Sequence, residues 1–154
     1  MSNRIVIIGA GSTNFGLGIV GDFFKSKILS GSTLVLHDIN PETLKNTYEI
    51  ALSYKEKLGV NFNIESTTSR SDALKKADFC LISIEVGNRF ELWEQDWKVP
   101  LQYGIKQVYG ENGGAGGLFH AMRQVPAIIK ICEDIEKICP EAFVFSYSNP
   151  MQRI

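Results

Sequence analysis

The sequence has almost no net charge and no long hydrophobic run. Sixteen lysine and arginine residues against 17 aspartate and glutamate residues give a formal net charge of −1, and the charges are scattered. This balance gives no electrostatic reason to expect nucleic acid or an anionic membrane as a partner. The first apolar run, residues 5–8, ends at Gly9 and is too short for a signal sequence or a membrane span. We therefore expect a cytoplasmic protein.

Cysteine and histidine are scarce. The three cysteines are odd in number and form no CxxC pair, and Cys132 and Cys139 would lie about 10 Å apart along a predicted helix. That separation excludes a disulfide between them, so we interpret all three, with Cys80, as buried hydrophobic residues in a reducing compartment. His37 and His120 lie in separate segments. The chain therefore offers no evident set of metal ligands.

Short apolar runs alternate with longer amphipathic ones along the 154 residues. We predict strands over 4–8, 33–38, 62–66, 79–84 and 142–147 and helices over 12–26, 41–58 and 71–76. Helical spacing recurs from 118 to 139, where Pro126 is expected to kink or divide the helix, whereas 89–103 has a less regular pattern. Continuous apolar strands separated by helices predict a parallel sheet covered on both faces. The fold class is α/β, a doubly wound Rossmann-type domain over residues 1–154, with ligands beyond the carboxyl ends of its strands.

The turn after the first predicted strand, residues 9–12, has the sequence GAGS. The first glycine permits a tight turn, and the second lets the backbone approach a phosphate without a Cβ in between. The helix that follows would offer N–H groups and a partial positive charge to a pyrophosphate. A plain strand-to-helix turn is the alternative, because Asn14 occupies the place of the usual third glycine and Gly16 comes two residues later. We assign dinucleotide binding to Gly9, Gly11, Ser12, Thr13 and Asn14.

Asp38 ends the second predicted strand. A carboxylate at this place accepts hydrogen bonds from both ribose hydroxyls and repels a 2′-phosphate, which favours NAD over NADP. The alternative is an aspartate that caps the helix beginning at Pro41, and the two roles are compatible. We interpret the neighbouring His37 as a packing residue.

A second glycine-rich stretch covers residues 110–117. Such a run lets the backbone come close to a ligand, and the following helix would offer a second positive N-terminus. Glu111 is the one carboxylate within it. A mobile surface loop is the alternative, and His120 and Arg123 after it could equally be solvated surface groups.

Asn149 follows the last predicted strand, at the edge of the sheet where ligands bind. Its side chain offers a paired donor and acceptor suited to adjacent sugar hydroxyls. The alternative is that this Asn-Pro sequence forms only a turn.

Together these segments resemble the amino-terminal domain of glycoside hydrolase family 4, the NAD- and metal-dependent glycosidases. The resemblance spans all 154 residues and rests on residues 9–12, Val86-Gly87, residues 113–117 with Arg123, and residues 148–150. It implies that Val86 joins the turn in binding NAD. It also implies that Asn149 contacts the sugar and that Glu111 lies near the reacting groups as a catalytic residue.

The resemblance implies a redox-assisted elimination, an exception to the two-carboxylate scheme of other glycosidases. Bound NAD would take hydride from C3 of the sugar, and the ketone formed would acidify the proton on C2. A base would remove that proton, the glycosidic oxygen would leave, water would add, and hydride would return to C3. A divalent metal, typically manganese, would polarise the C2 and C3 oxygens.

The family's metal-binding Cys and His, its acid and its tyrosine base lie after the Asn-Pro turn. The resemblance therefore leads us to expect these groups and the substrate domain outside this chain. We expect the 154-residue chain alone to be inactive and the longer protein to be a homo-oligomer.

The resemblance also bears on the substrate. Members that hydrolyse 6-phospho-sugars carry an arginine after strand four, where this chain has Leu92-Trp93-Glu94, with Arg89 nearer the strand. The segment up to Pro100 looks more like the α-galacturonidase branch, which favours an unphosphorylated glycoside or a uronide.

Two other functions stay open at this point. An NAD-dependent hydroxy-acid dehydrogenase of the lactate/malate kind shares the predicted fold, but it would need a basic loop where Glu91, Glu94 and Asp96 make the segment acidic. A non-catalytic nucleotide-binding domain would leave the second glycine run and Asn149 without a purpose.

Overall fold

The computed structural model describes residues 2–12 and 16–149 and alternates strands with helices. In chain order the elements are β1 (Arg4–Ile8), α1 (Gly16–Lys25), β2 (Thr33–His37), α2 (Pro41–Leu58), β3 (Asn63–Thr67), α3 (Arg70–Leu74), β4 (Phe79–Ile82), α4 (Arg89–Gln102), α5 (Gly114–Ile138) and β5 (Phe143–Ser146). Within the described residues, no helix is both long enough and apolar enough to cross a bilayer.

The chain divides into two compact units. Met1–Ile84 and Asp134–Tyr147 form the first, which we call the sheet unit because it contains every described strand. Glu85–Glu133 and Ser148–Ile154 form the second, which we call the helical unit.

The sheet unit contains a five-stranded parallel sheet in the order β3-β2-β1-β4-β5. β2 and then β3 are added on one side of β1, after which the chain crosses to the other side of β1 and adds β4 and then β5. The carboxyl ends of β1 and β4 are therefore the point where the strand order reverses, the usual ligand crevice of such a sheet. This arrangement confirms the predicted doubly wound α/β fold.

The apolar runs that predicted the strands form the centre of the sheet unit. Val6, Ile7, Leu34 and Leu36 are 0% exposed, and α1 and α2 pack on the sheet through Val20, Phe24, Leu44 and Ala51. Burying an aliphatic side chain of this size contributes about 1.5–3 kcal/mol relative to leaving it exposed. The continuous, rather than alternating, apolar pattern follows from burial on both faces.

The second helix begins and ends at the residues that its sequence predicts. Asn40 caps α2 through its side-chain oxygen, which accepts from the N–H groups of Glu42 (3.0 Å) and Thr43 (3.2 Å). Pro41 stands at the first helical position, and Gly59 ends the helix with φ +61°. Proline tolerates the first turn, and glycine adopts the left-handed conformation at low cost.

The segment predicted as irregular, 89–103, is largely the helix α4. Its buried residues are Asp96 and Pro100, four positions apart on one helical face. Because neither is an aliphatic or aromatic residue, the buried face produces no hydrophobic periodicity in the sequence. The prediction was wrong for this reason.

The last helix is longer than predicted and is not divided. It begins at Gly114, inside the glycine-rich stretch, and continues through Pro126 to Ile138. Proline removes one helical hydrogen bond, to the residue four positions earlier. Both Pro126 and Met122 are exposed, so the missing bond lies on the solvent side of the helix.

Two expectations about burial were also wrong. The residues of β5 are largely exposed in this chain, for example Phe143 at 66%, so the sheet is not covered on both faces at this edge. Cys132 is exposed on α5, whereas Cys80 and Cys139 are buried free thiols as expected. Cys132 lies within α5 and is exposed, whereas Cys139 follows the end of this helix and is buried.

His37 is a packing residue, as predicted. Its ring is 2% exposed, and Nδ1 lies 2.9 Å from the carbonyl oxygen of Thr67, so this nitrogen carries the hydrogen. Burial lowers the pKa of His37, although the Thr67 carbonyl and the nearby Asp38 oppose this effect. Protonation therefore favours the unfolded chain.

We expect the free energy of unfolding to fall as the pH drops below the ordinary histidine pKa of 6.5, because the folded chain resists protonation of His37. Urea midpoints at about pH 7.5 and about pH 5.5 test this expectation. His37→Asn is the matched variant, since its amide can donate to Thr67 without titrating. An equal loss of stability in His37→Asn would contradict the assignment.

Candidate functional site

The glycine turn at the end of β1 is held by backbone hydrogen bonds. The N–H groups of Gly9 and Ala10 both donate to the carbonyl oxygen of His37, at 2.9 and 3.0 Å, and the Ser12 N–H donates to Gly9. Gly9 has φ +91°, and a Cβ there would overlap the carbonyl oxygen of Ser83. The turn therefore requires glycine at position 9 because β1 and the end of β4 approach closely.

Gly16 is a residue of this turn that the sequence analysis did not assign. It is buried at the start of α1, and a Cβ there would overlap the carbonyl oxygen of Ala10. Its N–H donates to Ser12 at 2.9 Å. Gly16 thus permits a close contact between the start of α1 and the turn after β1, as the third glycine permits close packing in dinucleotide-binding turns. In the sequence, a glycine two residues after the usual place of the third glycine was the signal for this role.

Asp38 is braced against the glycine turn. Its Oδ2 accepts from the Gly11 N–H at 2.8 Å, and its Oδ1 accepts from the Asn40 N–H at 2.9 Å. A Cβ on Gly11 would lie 2.8 Å from Oδ2 and would overlap the Thr43 hydroxyl. The helix cap is Asn40, so the alternative role of Asp38 as the capping residue was wrong. The half-buried carboxylate stays at the carboxyl end of β2, next to the turn.

The structure brings Gly9, Gly11, Ser12 and Asp38 together within the sheet unit. Thr13 and Asn14, also assigned to dinucleotide binding, lie outside the described residues. The N–H groups of residues 9–12 all donate within the protein. These four N–H groups are therefore already hydrogen-bonded and are not available to a phosphate.

In the helical unit, Glu111 and Asn149 meet as one cluster with Arg89. The Glu111 side chain is 4% exposed, and its Oε1 accepts from Arg89 Nη2 and from Asn149 Nδ2, each at 2.9 Å. Because a buried carboxylate requires compensating donors, these two bonds hold both partners in place. Asn149 itself remains exposed.

Arg89 is also fixed by aromatic side chains. Its guanidinium carbon lies 4.2 Å from the centre of the Trp93 ring, and Trp93 contacts Phe90 and Tyr109 edge to face. A cation over an indole ring is stabilised electrostatically. The Arg89 charge is therefore bound between Trp93 and Glu111.

His120 and Arg123 are not solvated surface groups, contrary to one alternative left open by the sequence. His120 is 1% exposed, and its Nε2 lies 3.0 Å from the Asn149 carbonyl oxygen. Arg123 forms two parallel bonds to Asp96, Nη1 to Oδ1 at 3.0 Å and Nη2 to Oδ2 at 2.5 Å. Arg123 therefore neutralises Asp96, one of the three acidic residues that made the segment 91–96 look acidic in the sequence.

The glycine-rich stretch packs against its own surroundings. Gln107 Nε2 donates to the Asp96 carbonyl at 2.6 Å, and the Gly116 N–H donates to Gln107 Oε1 at 3.1 Å. A Cβ on Gly114 would lie 2.9 Å from Gln107 Oε1, and one on Gly116 would lie 2.6 Å from the Gly110 carbonyl oxygen. Close packing therefore accounts for these two glycines, whereas a Cβ on Gly113 would meet no described atom within 4 Å.

Val86, assigned to the cofactor, is half-buried and precedes Gly87, which has φ +81°. A Cβ on Gly87 would lie 2.7 Å from the Leu92 side chain. The turn after β4 is thus a glycine turn like the one after β1. The role of Val86 stays a prediction.

Over the described residues, 2–12 and 16–149, no group of three or more His, Cys, Asp or Glu side chains could hold a metal ion. The carboxylates of Glu111, Asp96 and Glu85 in the helical unit accept hydrogen bonds from arginine or amide groups instead.

Comparison with known proteins gives consistent results. A family model of the family 4 glycosyl hydrolases matches residues 4–154. The alpha-glucosidase of Erwinia rhapontici is 54% identical over 154 residues, which is 100% of this chain and 34% of that protein. The alpha-galacturonidase of Thermoanaerobacter italicus is 37% identical over 148 residues, 96% of this chain and 31% of that protein.

Among solved structures, a 6-phospho-alpha-glucosidase from gut microorganisms, in complex with NAD and Mn²⁺, superposes with a TM-score of 0.85. The sequences are 25% identical, and the match covers 97% of this chain and 34% of that one. The chain therefore spans about a third of the length of the relatives it matches.

Proposed function

The chain belongs to family 4 of the glycosyl hydrolases, and we propose that the protein carrying it hydrolyses O-glycosidic bonds with the help of NAD and a divalent metal. The observation that carries this proposal is the exposed Asn149 amide, held in place by the buried Glu111 carboxylate. An amide fixed in this way suits a pair of sugar hydroxyls. The activity named for the relatives supports it.

The glycine turn fits a dinucleotide. Gly9, Gly11 and Gly16 allow no Cβ, and Asp38 stands at the end of β2 with each oxygen already oriented by one backbone N–H. Each carboxylate oxygen can accept a second hydrogen bond, so Asp38 can bind the two ribose hydroxyls without leaving the turn. When bound, NAD supplies a reversible hydride acceptor for a sugar carbon.

The divalent metal does not fit the described residues, because they offer no cluster of suitable ligands. We derive no step through it from this chain. Its inclusion in the proposal rests on the Mn²⁺ in the related 6-phospho-alpha-glucosidase.

The part of the reaction that this chain performs is orientation. Asn149 would donate to and accept from adjacent hydroxyls of the sugar, while its other amide hydrogen stays on Glu111. Glu111 was predicted as a catalytic residue near the reacting groups, and that role stays a prediction. Its burial and two donors support a positioning role, in which it acts through Asn149 and Arg89.

We propose an unphosphorylated glycoside or a uronide as the substrate. The Arg89 charge is neutralised by Glu111 and stacked on Trp93, so it suits a phosphate dianion less well than an uncommitted arginine. Exposed Glu91 on α4 adds negative charge nearby in sequence, whereas Glu94 is paired with Lys98. Two relatives are named for unphosphorylated substrates.

The family match argues against the hydroxy-acid dehydrogenase and the non-catalytic nucleotide-binding domain. A cytoplasmic location is part of the proposal. A homo-oligomer also stays a prediction.

The chain is expected to bind NAD about tenfold more tightly than NADP, because the Asp38 carboxylate repels a 2′-phosphate. Titration calorimetry with both nucleotides measures the difference. Asp38→Asn should close most of this gap, whereas Asp22→Asn, which removes an exposed carboxylate on α1, should preserve it. Equal affinities in the unmodified chain, or no NAD binding, would contradict the nucleotide part of the proposal.

A further inference from the structure

His120 is oriented by a bond that defines its hydrogen positions. Its Nε2 lies 3.0 Å from the Asn149 carbonyl oxygen, which can only accept, so Nε2 carries a hydrogen. Neutral His120 therefore has a bare lone pair on Nδ1. That nitrogen is buried and has no hydrogen-bond partner among residues 2–12 and 16–149.

The bare nitrogen faces a carboxylate. His120 Nδ1 lies 3.7 Å from Glu85 Oε1, and the Glu85 side chain is 30% exposed. Gln124 Nε2 donates to the same Glu85 oxygen at 2.6 Å and limits its movement. If neither group carries the extra proton, the lone pair of the buried Nδ1 faces a negative oxygen, which is unfavourable. One proton on either partner converts this contact into an attraction.

Other charged groups surround the pair. Burial raises the pKa of Glu85, and Glu111 from the loop before α5 acts in the same direction. His120, Arg89 on α4 and Arg123 on α5 oppose this effect. Arg89 and Arg123 are themselves committed to Glu111 and Asp96, so neither can replace the missing proton between His120 and Glu85.

We propose that His120 and Glu85 share one proton and that its presence positions Asn149 for the sugar, so that sugar binding depends on pH while NAD binding does not. His120 is then a positioning residue that acts through Asn149. This inference rests on the proposed function, in which Asn149 contacts the sugar.

The direction of the effect follows from the contacts. With the proton present, Nδ1–H donates toward Glu85, the ring is held on both sides, and Nε2–H stays on the Asn149 carbonyl. When the proton leaves at higher pH, repulsion between Nδ1 and Glu85 displaces the ring or the carboxylate. Asn149 then loses the contact of its carbonyl with His120, while its side chain keeps the bond to Glu111.

The first test is an NMR titration of the 154-residue chain without sugar or nucleotide. The chain has two histidines, so His37→Asn identifies the signals of His120. We expect the side-chain amide of Asn149 to shift with the same midpoint as the His120 ring. Glu85→Gln should abolish the amide shift, because a neutral amide removes the charge that opposes the Nδ1 lone pair, and its N–H can donate to Nδ1 once the Gln124 amide turns to present its oxygen. Glu91→Gln, an exposed neighbour on α4, should leave it unchanged.

The proposal would be overturned if the Asn149 amide and the His120 ring shifted with different midpoints. The same holds if the Asn149 amide does not change with pH, or if Glu85→Gln titrates like the unmodified chain. His120→Gln is the second variant, because its amide can still donate to the Asn149 carbonyl but cannot be protonated. It should give the Asn149 signal of the low-pH state at every pH.

The second test is the KM of the protein carrying this chain for a p-nitrophenyl glycoside. KM is expected to rise about tenfold above the midpoint, with NAD affinity unchanged within about twofold. Glu85→Gln and His120→Gln should both make KM independent of pH. If the NMR coupling is present but no glycoside is hydrolysed, the proposed function fails and the positioning role remains. If hydrolysis occurs with a pH-independent KM, the positioning role fails.

Discussion

Replacing Gly11 by valine is expected to lower the affinity of the chain for NAD by about a hundredfold or more. A Cβ at position 11 would overlap the Thr43 hydroxyl and lie 2.8 Å from Asp38 Oδ2. The added side chain therefore pushes Asp38 away from the position in which it would bind the ribose, and we expect it also to crowd the backbone that a pyrophosphate would approach. Titration calorimetry with NAD measures the loss, and circular dichroism shows whether the variant is folded.

Gly18→Ala is the matched control, because a Cβ there meets no described atom within 4 Å and the residue is exposed on α1. It should bind NAD normally and gain about 0.5–1 kcal/mol of stability, since alanine favours a helix over glycine. Gly11→Ala is a smaller change at the same site, in case valine unfolds the turn. Normal NAD binding by a folded Gly11→Val would show that the turn is only structural.

Hydrolysis by the protein carrying this chain is expected to fall at least about a thousandfold when NAD is withheld, because the proposed reaction needs a hydride acceptor. It should fall similarly when divalent metal is removed by a chelator. The assay uses p-nitrophenyl glycosides and uronides, with their 6-phosphorylated counterparts for comparison, with and without NAD and Mn²⁺. Full activity without NAD would exclude the redox mechanism.

Asn149→Ala separates the sugar site from the nucleotide site. It should lower kcat/KM by about a hundredfold and change NAD affinity by less than about threefold, because the role proposed for the amide is to bind the sugar and not the nucleotide. Asn88→Ala is the control, since Asn88 is exposed before α4 and makes no side-chain capping bond. A parallel loss of NAD binding in Asn149→Ala would contradict the division of roles.

The assay also includes the 154-residue chain by itself. We expect no metal-dependent hydrolysis from it, because its described residues offer no metal ligand cluster. Hydrolysis by this chain that requires Mn²⁺ would mean that the metal site has been misplaced.

Local chemistry was enough to predict the sheet and its order of elements. Continuous apolar runs can be buried only between two layers, and Pro41 and the glycine turn at Gly9 impose backbone conformations by themselves. For this reason β1 and α2 have the predicted bounds, and the glycine turn lies where the strand order reverses. The family could also be identified, because its motifs are short stretches of contiguous residues.

Contacts between residues far apart in sequence could not be predicted in the same way. Asp96 with Arg123, Glu111 with Asn149, and Glu85 with His120 are pairs whose members are 27 to 38 residues apart. From the sequence, His120 and Arg123 could equally be solvated surface groups, since an isolated charge is usually solvated, and the roles predicted for Glu111 and Asn149 did not include a bond between them. The tertiary structure brings these groups together: Asp96, Glu111 and His120 are buried, and each lies beside a polar or charged partner, which a buried charge needs.

The sequence by itself therefore determined the class of fold, the glycine turn and the family, all of which depend on backbone conformation and on the pattern of apolar residues. The tertiary structure decided that Gly16 replaces the third glycine, that Asn40 rather than Asp38 caps α2, and that Glu111 holds Asn149. These outcomes depend on distances between atoms of different elements. Such contacts produce no periodic pattern in the sequence, because electrostatic and steric interactions act through space rather than along the chain.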